Sequence, residues 1–288
     1  MKTRSINNHL FGVIVIATIV PVNTSNAESV THEFVRPEIV GGEQVPKGRY
    51  QFMVYMEVTD NNGDTSTCGG SLIDANSVLT AAHCVADKQP AGGFIAYPSS
   101  NVKAWVKAWD TNNLEDAKER QIKSIYVHDK YNNGIAYGAY DVAVLTLNKR
   151  VLGIPNLDLP RANKNARIDA PDVKATVAGW GDTTEGGSSS TILKKLKYEI
   201  VDDDLCKNNY ATMNDKVDAS IQLCAYTSSE GFCNGDSGGP LFRHIEGNDV
   251  QIGIVSWSEG CARENLPDVY VRLTDPNING FIKRSMKK

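Results

Sequence analysis

The sequence predicts an all-β fold that ends in an α-helix. Three features indicate this fold: glycine is frequent, with 24 of 288 residues, apolar residues cluster in short runs, and a helix signature stands near the C-terminus. Many short strands with turn residues between them are typical of antiparallel barrels or sandwiches, and both stay open at this point. No repeat of fixed period is visible, which disfavours solenoids and propellers.

Ten runs rich in Val, Ile and aromatic residues are predicted as strands, because Gly, Asn, Asp or Pro bound most of them. In chain order they are Gln51–Val58, Ser77–Thr80, Lys103–Trp109, Ile122–Val127, Val142–Leu147, Val173–Gly179, Leu193–Val201, Gln222–Ala225, Gln251–Trp257 and Val269–Leu273. The segment between the two groups of five, Lys149–Asp172, is rich in Pro, Asn and Arg and is predicted as a connection.

The last predicted element is a helix over residues 276–286. Asp275 is a good N-cap residue, and Pro276 suits the first helical position. Ile278, Phe281 and Ile282 recur at helical spacing and would form its apolar face.

The first 27 residues have the layout of a secretory signal peptide. A basic start, Met1–Arg4, precedes an apolar run over Leu10–Val20 and the small-residue site Ser25-Asn26-Ala27. An uncleaved membrane anchor is the alternative, but these 11 residues are fewer than the roughly 20 that span a bilayer. The mature protein is therefore expected to be secreted, with cleavage after Ala27.

Charge limits the classes of partner. The net charge is −4 and no polybasic block occurs, so neither nucleic acid nor a membrane is expected as a partner. The chain is expected to act as a monomer.

Six cysteines lie beyond the signal peptide, and an even number in an exported chain predicts disulfides. Sequence alone permits 15 pairings, of which pairing in chain order is the simplest. No CxxC pair or His-rich spacing suggests zinc, so neither a metal nor another cofactor is expected. The cysteines are Cys68, Cys84, Cys206, Cys224, Cys233 and Cys261.

The stretch Gly235-Asp236-Ser237-Gly238-Gly239-Pro240 is the strongest candidate for chemistry. Glycines on both sides of a serine allow a tight turn whose amides converge beside an exposed hydroxyl, as acyl transfer requires. A serine hydroxyl also needs a base to remove its proton and a third group to orient that base.

One histidine and one aspartate stand in fitting contexts. His83, in Thr80-Ala81-Ala82-His83-Cys84, is flanked by small residues that allow a tight turn beside a cysteine. Asp141 opens the apolar strand Asp141-Val142-Ala143-Val144-Leu145, where a carboxylate can be buried and point at a neighbour. His128 is interpreted as a surface residue.

Together these motifs resemble the chymotrypsin/trypsin family of serine endopeptidases over Ile39–Lys288. The order His, Asp, Ser matches the family. The matching segments are Ile39–Gly42 for the mature N-terminus, Thr80–Cys84 for the histidine motif, Asp141–Leu145 for the aspartate motif, Gly235–Pro240 for the serine motif and Ser256-Trp257 for the substrate-pairing strand.

The resemblance implies two six-stranded antiparallel β-barrels, over about residues 39–150 and 160–275, with the active site between them. Ser237 would attack the scissile carbonyl, His83 would transfer its proton and Asp141 would orient His83. The amides of Gly235 and Ser237 would form the oxyanion hole. Ser256, Trp257 and Ser258 would pair with the backbone of a protein or peptide substrate.

The resemblance also implies activation and disulfide pairing. Residues 28–38 would be a propeptide, and cleavage between Glu38 and Ile39 would free an ammonium group that pairs with Asp236. Because Glu38 is neither Arg nor Lys, we expect another protease to make this cut. The implied disulfides are Cys68–Cys84, Cys206–Cys224 and Cys233–Cys261.

The specificity pocket departs from the trypsin pattern. Gly231 stands where trypsin-like members place an acid, whereas Asp268 matches a position on the opposite wall, an exchange that resembles the broad-specificity collagenolytic proteases of crustaceans. Phe232 would either shorten the cavity or add apolar contact, Ser258 would slightly narrow the entrance and Asn234 would lie at the rim. These residues predict a preference for Arg or Lys at P1, the residue before the scissile bond, broadened to apolar side chains.

Two rival functions are considered. A catalytically inactive homologue acting as a binding module would typically lack the Ser or the His, and this chain has both. An esterase of the α/β-hydrolase type shares the short pattern Gly-x-Ser-x-Gly, but it requires the order Ser, Asp, His and a helix after the serine. In this chain His83 and Asp141 precede Ser237 and no helical pattern follows the serine, so the order excludes the esterase.

Overall fold

The computed structural model describes residues 40–132, 136–161, 167–211 and 216–288. The predicted signal peptide, the propeptide and both residues of the predicted activation bond, Glu38 and Ile39, lie outside the described residues. In the described part, no helix is long and apolar enough to cross a membrane.

Strands dominate the described residues. The first group is β1 (Glu43–Gln44), β2 (Met53–Thr59), β3 (Thr65–Leu72), β4 (Ser77–Thr80), β5 (Ala86–Lys88), β6 (Phe94–Ala96), β7 (Val102–Val106), β8 (Lys118–Val127) and β9 (Ala143–Leu147). The second group is β10 (Lys174–Gly179), β11 (Lys194–Ile200), β12 (Gln222–Tyr226), β13 (Pro240–Ile245), β14 (Asn248–Trp257) and β15 (Asp268–Arg272). Two α-helices, α1 (Asp203–Tyr210) and α2 (Pro276–Ser285), complete the fold.

The strands close two antiparallel barrels, as predicted. In the first barrel the order is β2-β3-β4-β9-β8-β7. In the second it is β11-β10-β13-β14-β15-β12, closed by pairing of β12 with β11. The short strand β1 pairs with β11, so the chain just after residue 40 lies along the second barrel.

Hydrophobic patterning explains why the interiors are filled. Along β2 the fully buried residues alternate with half-buried ones, as expected of a strand with one face on the core. Every residue of β9 is buried, because this strand runs through the main hydrophobic cluster. Asp141 lies just before β9 and is therefore held on rigid backbone.

Two barrel strands escape prediction from the sequence. Strand β3 contains Cys68, Gly69, Gly70 and Ser71, and strand β13 starts at Pro240, so neither shows a long apolar run. They become strands because their neighbours complete the hydrogen-bond ladder on both sides. The short helix α1 and the strands β1, β5 and β6 also lack a strong local signal.

The C-terminal helix and the disulfides agree with prediction. The Asp275 side chain caps α2 by accepting hydrogen bonds from the amides of Asn277 and Ile278, both at 2.9 Å. Ile278 and Ile282 are fully buried. All six cysteines are paired, as Cys68–Cys84, Cys206–Cys224 and Cys233–Cys261.

The interpretation of His128 as a surface residue is wrong. Its side chain is buried, stacks on Tyr140 with ring centroids 4.7 Å apart, and lies 4.8 Å from the ring of Phe281 on α2. Its Nδ1 accepts a hydrogen bond from the amide of Lys130. The C-terminal helix covers this histidine, a contact that local sequence does not reveal.

Candidate active site

His83 and Asp141 lie next to each other at one end of the first barrel, beside the end of β4 and the start of β9. His83 lies on the short 3-10 helix Ala82–Cys84 after β4, and Asp141 lies two residues before β9. The Asp141 Oδ2 atom is 2.7 Å from His83 Nδ1, and Asp141 Oδ1 accepts the backbone amide of His83 at 2.8 Å. Two contacts to one carboxylate fix both the position of the loop and the orientation of the ring.

A third donor holds the same carboxylate. Ser256, in β14 of the second barrel, donates its hydroxyl to Asp141 Oδ2 at 2.6 Å. Asp141 is only 2% exposed, so these hydrogen bonds replace the water that the carboxylate has lost. The aspartate thus joins the two barrels at the site.

His83 and Asp141 each stabilise the charged form of the other. Burial disfavours the charged imidazole, but the Asp141 carboxylate and its hydrogen bond outweigh burial and the nearby Lys88 charge, so the pKa of His83 is raised. Burial likewise disfavours the ionised Asp141, but His83 and the hydrogen bonds from Ser256 and the His83 amide outweigh it, and the pKa of Asp141 is lowered. An ionised Asp141 is suited to stabilise an imidazolium.

The turn around Ser237 presents unused amides. Gly235 has φ +93° and Gly238 has φ +78°, conformations that favour glycine. The amides of Asp236, Gly238 and Gly239 donate to carbonyls of Cys233, Val255 and Asp236, at 2.9 to 3.1 Å. The amides of Gly235 and Ser237 have no acceptor among the described residues. These two N–H groups are the ones predicted to form the oxyanion hole.

The serine turn packs directly on the first barrel. The Ser237 carbonyl accepts the amide of Gly69 at 2.7 Å. A Cβ on Gly238 would lie 2.2 Å from Thr80 Oγ1 and 2.6 Å from the Gly69 carbonyl oxygen. The close approach that needs glycine is therefore also the contact that carries Ser237 toward His83.

His83 and Ser237 line two adjoining cavities that share Tyr137, Ser256 and Trp257. Among the hydrogen bonds of the described residues, none joins the Ser237 hydroxyl to His83 Nε2, and this nitrogen lies 3.9 Å from Cys84 Sγ. In enzymes without bound substrate, catalytic hydrogen bonds are often long and tighten when substrate binds.

The cavity beside Ser237 has a volume of about 370 Å³. Five predicted substrate-binding residues line it, and so do Cys233 and Cys261 of the third disulfide. Gly231 and Asp268, in contrast, are not on its wall. The five residues are Phe232, Asn234, Ser256, Trp257 and Ser258.

Asp268 lies behind the Phe232 backbone. It is 5% exposed, and its Oδ2 accepts the amide of Phe232 at 3.2 Å and a short hydrogen bond from the Tyr198 hydroxyl. Burial raises the pKa of Asp268 to about 7, although both hydrogen bonds act in the opposite direction. The acid therefore ionises at a higher pH than an exposed aspartate does.

Gly231 leaves no room for an acid at the usual position. A Cβ there would lie 2.8 Å from the Ala262 nitrogen and 2.9 Å from its Cα. The backbone of Ala262 therefore occupies the space that a side chain at this position would need.

Asp236, the predicted partner of the freed N-terminus, is buried beneath the serine turn. Its Oδ1 accepts the amide of Gly181 at 2.8 Å and its Oδ2 that of Cys233 at 3.0 Å. Burial raises its pKa to about 6 despite these bonds, and among the described residues it has no cationic partner. Nearby, the Val40 carbonyl accepts the amide of Gly231 at 3.1 Å, so the chain next to Ile39 lies on this side of the second barrel.

Sequence reasoning missed Tyr198 and Lys88. Tyr198 is 70 residues from Asp268 in sequence, and no local signal connects them. Lys88 lies five residues after His83 and lines the same cavity as that histidine.

Comparison with known proteins gives a consistent result. The family described as Trypsin matches residues 39–282. A trypsin of Saccharopolyspora erythraea is 35% identical over 82% of this chain and 93% of its own length. A trypsin-like protease of Streptomyces glaucescens is 31% identical over 91% of this chain and 85% of its own. The serine proteinase stubble of Drosophila melanogaster is 32% identical over 88% of this chain, which corresponds to 32% of that longer protein.

Proposed function

Because the chain belongs to the trypsin family of serine endopeptidases, we propose that it hydrolyses peptide bonds with Ser237 as nucleophile, His83 as base and acid, and Asp141 as the group that orients His83. The observation that carries this proposal is the pair of amides at Gly235 and Ser237 beside the nucleophile, which donate to no acceptor among the described residues. One such donor typically contributes about 10² to 10³ in rate.

In the proposed reaction, each charge that develops is stabilised by a group of the site. His83 Nε2 takes the Ser237 proton as Oγ bonds to the scissile carbonyl carbon, and the resulting imidazolium is stabilised by Asp141, 2.7 Å from Nδ1. The carbonyl oxygen becomes negative and binds the two free amides. His83 then protonates the amine as the C–N bond breaks, which leaves the acyl-enzyme. Water attacks the acyl carbon while His83 takes a proton from it, and the Ser237 oxygen leaves and regains its proton from His83.

The proposal extends to secretion and activation. Disulfides favour an oxidising compartment, and the N-terminal residues have the composition of a signal peptide. Cleavage before Ile39 would place an ammonium near Asp236, whose buried carboxylate has no cation among the described residues. Such a pair would hold the oxyanion turn in shape, because a buried unpaired charge costs several kcal/mol.

For P1 we propose a preference for Arg and Lys, broadened to apolar side chains. The Asp268 carboxyl group supports the first part, since it accepts the amide of Phe232, and Phe232 lines the cavity. The Phe232 ring supports the second part, since it offers apolar surface in the same cavity.

Labelling with a fluorophosphonate probe tests the catalytic proposal. Enzyme processed to Ile39 should label and cleave peptide substrates, whereas Ser237→Ala and His83→Ala should do neither at a comparable rate. Processed wild-type enzyme that folds but does not label would instead support the binding-module alternative.

Activation is tested on the precursor alone. Purified wild-type precursor should not acquire an Ile39 terminus during incubation, because Glu38 does not suit a pocket for Arg or Lys. Appearance of that terminus in wild-type precursor, and not in Ser237→Ala, would show self-activation and contradict the need for another protease.

A further inference from the structure

A second cavity lies next to the one beside Ser237. It has a volume of about 250 Å³, and its lining includes His83, Lys88, Tyr137 and Gly138. Its shared wall with the first cavity contains Ser256 and Trp257, which belong to the strand proposed to pair with the substrate. If substrate lies along this strand with the P1 side chain in the first cavity, the residue just before P1, called P2, would lie beside the second cavity.

Gly138 packs closely against Ser256 and Trp257 in the wall of the second cavity. Gly138 has φ +65°, and a Cβ there would lie 2.9 Å from Trp257 Cδ1 and 3.2 Å from Ser256 Oγ. Trp257 and Ser256 therefore already occupy the space that a side chain at this position would need. Glycine allows these parts of the cavity wall to pack against each other.

The cavity contains a cation that no described carboxylate neutralises. Lys88 Nζ lies 4.3 Å from the centroid of the Tyr137 ring and 5.9 Å from that of Tyr131, and it forms no ion pair among the described residues. Aromatic rings attract an ammonium without cancelling its charge. Asp141 also borders the cavity, but its oxygens are engaged by His83 and Ser256.

We propose that Lys88 makes this cavity a subsite for an acidic side chain, so that the enzyme favours Asp or Glu at P2. This inference rests on the proposed function, because it assumes that substrate lies along Ser256–Ser258. A carboxylate entering beside His83 would meet the ammonium over the Tyr137 ring, whereas a basic side chain would be repelled.

The test uses processed enzyme and three peptides with Arg at P1 and Glu, Gln or Lys at P2. A partly exposed charge pair contributes up to about 1 kcal/mol, which corresponds to a Glu/Gln ratio in kcat/KM of about five. We expect that ratio in wild type, a ratio near one in Lys88→Gln, and a reversed ratio in Lys88→Glu. As salt is added, the Glu/Gln ratios of wild type and of Lys88→Glu should both move toward one, because salt screens the charge pair.

Lys130→Gln is the matched control. Lys130 is also exposed and lies 5.3 Å from a tyrosine ring, that of Tyr140, but it lines neither cavity. This variant should keep the wild-type Glu/Gln ratio.

The outcomes separate the two proposals. Equal Glu/Gln ratios in wild type and Lys88→Gln, in enzyme that labels with fluorophosphonate and cleaves the Gln peptide, would overturn the subsite and leave the proposed function intact. A preference for Glu at the residue after the scissile bond, and not at P2, would overturn it as well. Processed enzyme that neither labels nor cleaves any peptide would overturn both proposals.

Discussion

The hydroxyl of Tyr198 donates a hydrogen bond to the carboxylate of Asp268, inside the second barrel. The same carboxylate and the same hydroxyl both lie within reach of the Phe232 amide. Because Phe232 also lines the cavity beside Ser237, this pair links a buried acid to the surface that a substrate side chain would touch.

The first prediction is that P1 selectivity depends on pH. Burial raises the pKa of Asp268 to about 7, so the carboxyl group is neutral below that pH and negative above it. The ratio of kcat/KM for Arg over Phe substrates should therefore rise as pH increases from about 6 to about 8. Protonation of His83 affects both substrates alike and cancels in the ratio.

Two variants make that measurement decisive. Asp268→Asn should give a lower ratio that does not change with pH. Tyr198→Phe removes a hydrogen bond that acts to lower the pKa of Asp268. In this variant the Arg/Phe ratio in kcat/KM should therefore rise at a higher pH than in wild type. A wild-type ratio that stays flat across this range would contradict a role for Asp268 in selectivity.

The second prediction concerns Ser256, whose hydroxyl donates to Asp141 at 2.6 Å. Hydrogen bonds to a charged group contribute about 1.5–3 kcal/mol, so Ser256→Ala should lower kcat/KM by about tenfold or more. The backbone that would pair with substrate is unchanged, and the loss should therefore appear mainly in kcat.

Ser71→Ala is the control for Ser256→Ala. Its hydroxyl is also buried and donates to Gln251 at 2.6 Å, away from the site. This control should lower the melting temperature without lowering kcat/KM. Equal activity losses in the two variants would mean that general destabilisation, and not the support of Asp141, explains the result.

The third prediction is that Gly181→Ala lowers kcat. A Cβ there would lie 2.3 Å from Asp236 Oδ2 and 2.4 Å from its Cγ, so the aspartate must move. Asp236 supports the turn that carries the Gly235 and Ser237 amides, and overpacking of this kind costs about 1–3 kcal/mol. We expect kcat to fall at least about tenfold, measured on protein whose folding is verified by circular dichroism. A variant with wild-type kcat would show that the turn tolerates displacement of Asp236.

The fourth prediction is a stabilising substitution at Gly280 in α2. The atom nearest to a new Cβ at this position would be Arg284 Nη1, at 3.1 Å, which is the end of a flexible side chain. Alanine is favoured over glycine in a helix by about 0.5–1 kcal/mol. Gly280→Ala should raise the free energy of unfolding by that amount in urea titrations and leave kcat/KM unchanged. A loss of stability would indicate that Arg284 cannot move aside.

Local sequence was sufficient wherever a structure depends on a few neighbouring residues. The cap of α2 needs only Asp275 and the residues that follow it, and the serine turn needs its glycines. Strand β4 was predicted with the bounds that the structure shows, Ser77–Thr80, because a short apolar run between turn residues has few alternatives. The family resemblance then supplied the barrels and the disulfide pairs.

Tertiary structure alone decided the features that join distant segments. Strands β3 and β13 depend on ladders completed by other strands, and Asp268 meets Tyr198 only because β12 pairs with both β11 and β15. His128 is buried because α2 packs over it. The sequence determined which residue types were present for catalysis, but their burial, charge and distances arise from closure of the two barrels, since a carboxylate's pKa depends on every group that surrounds it.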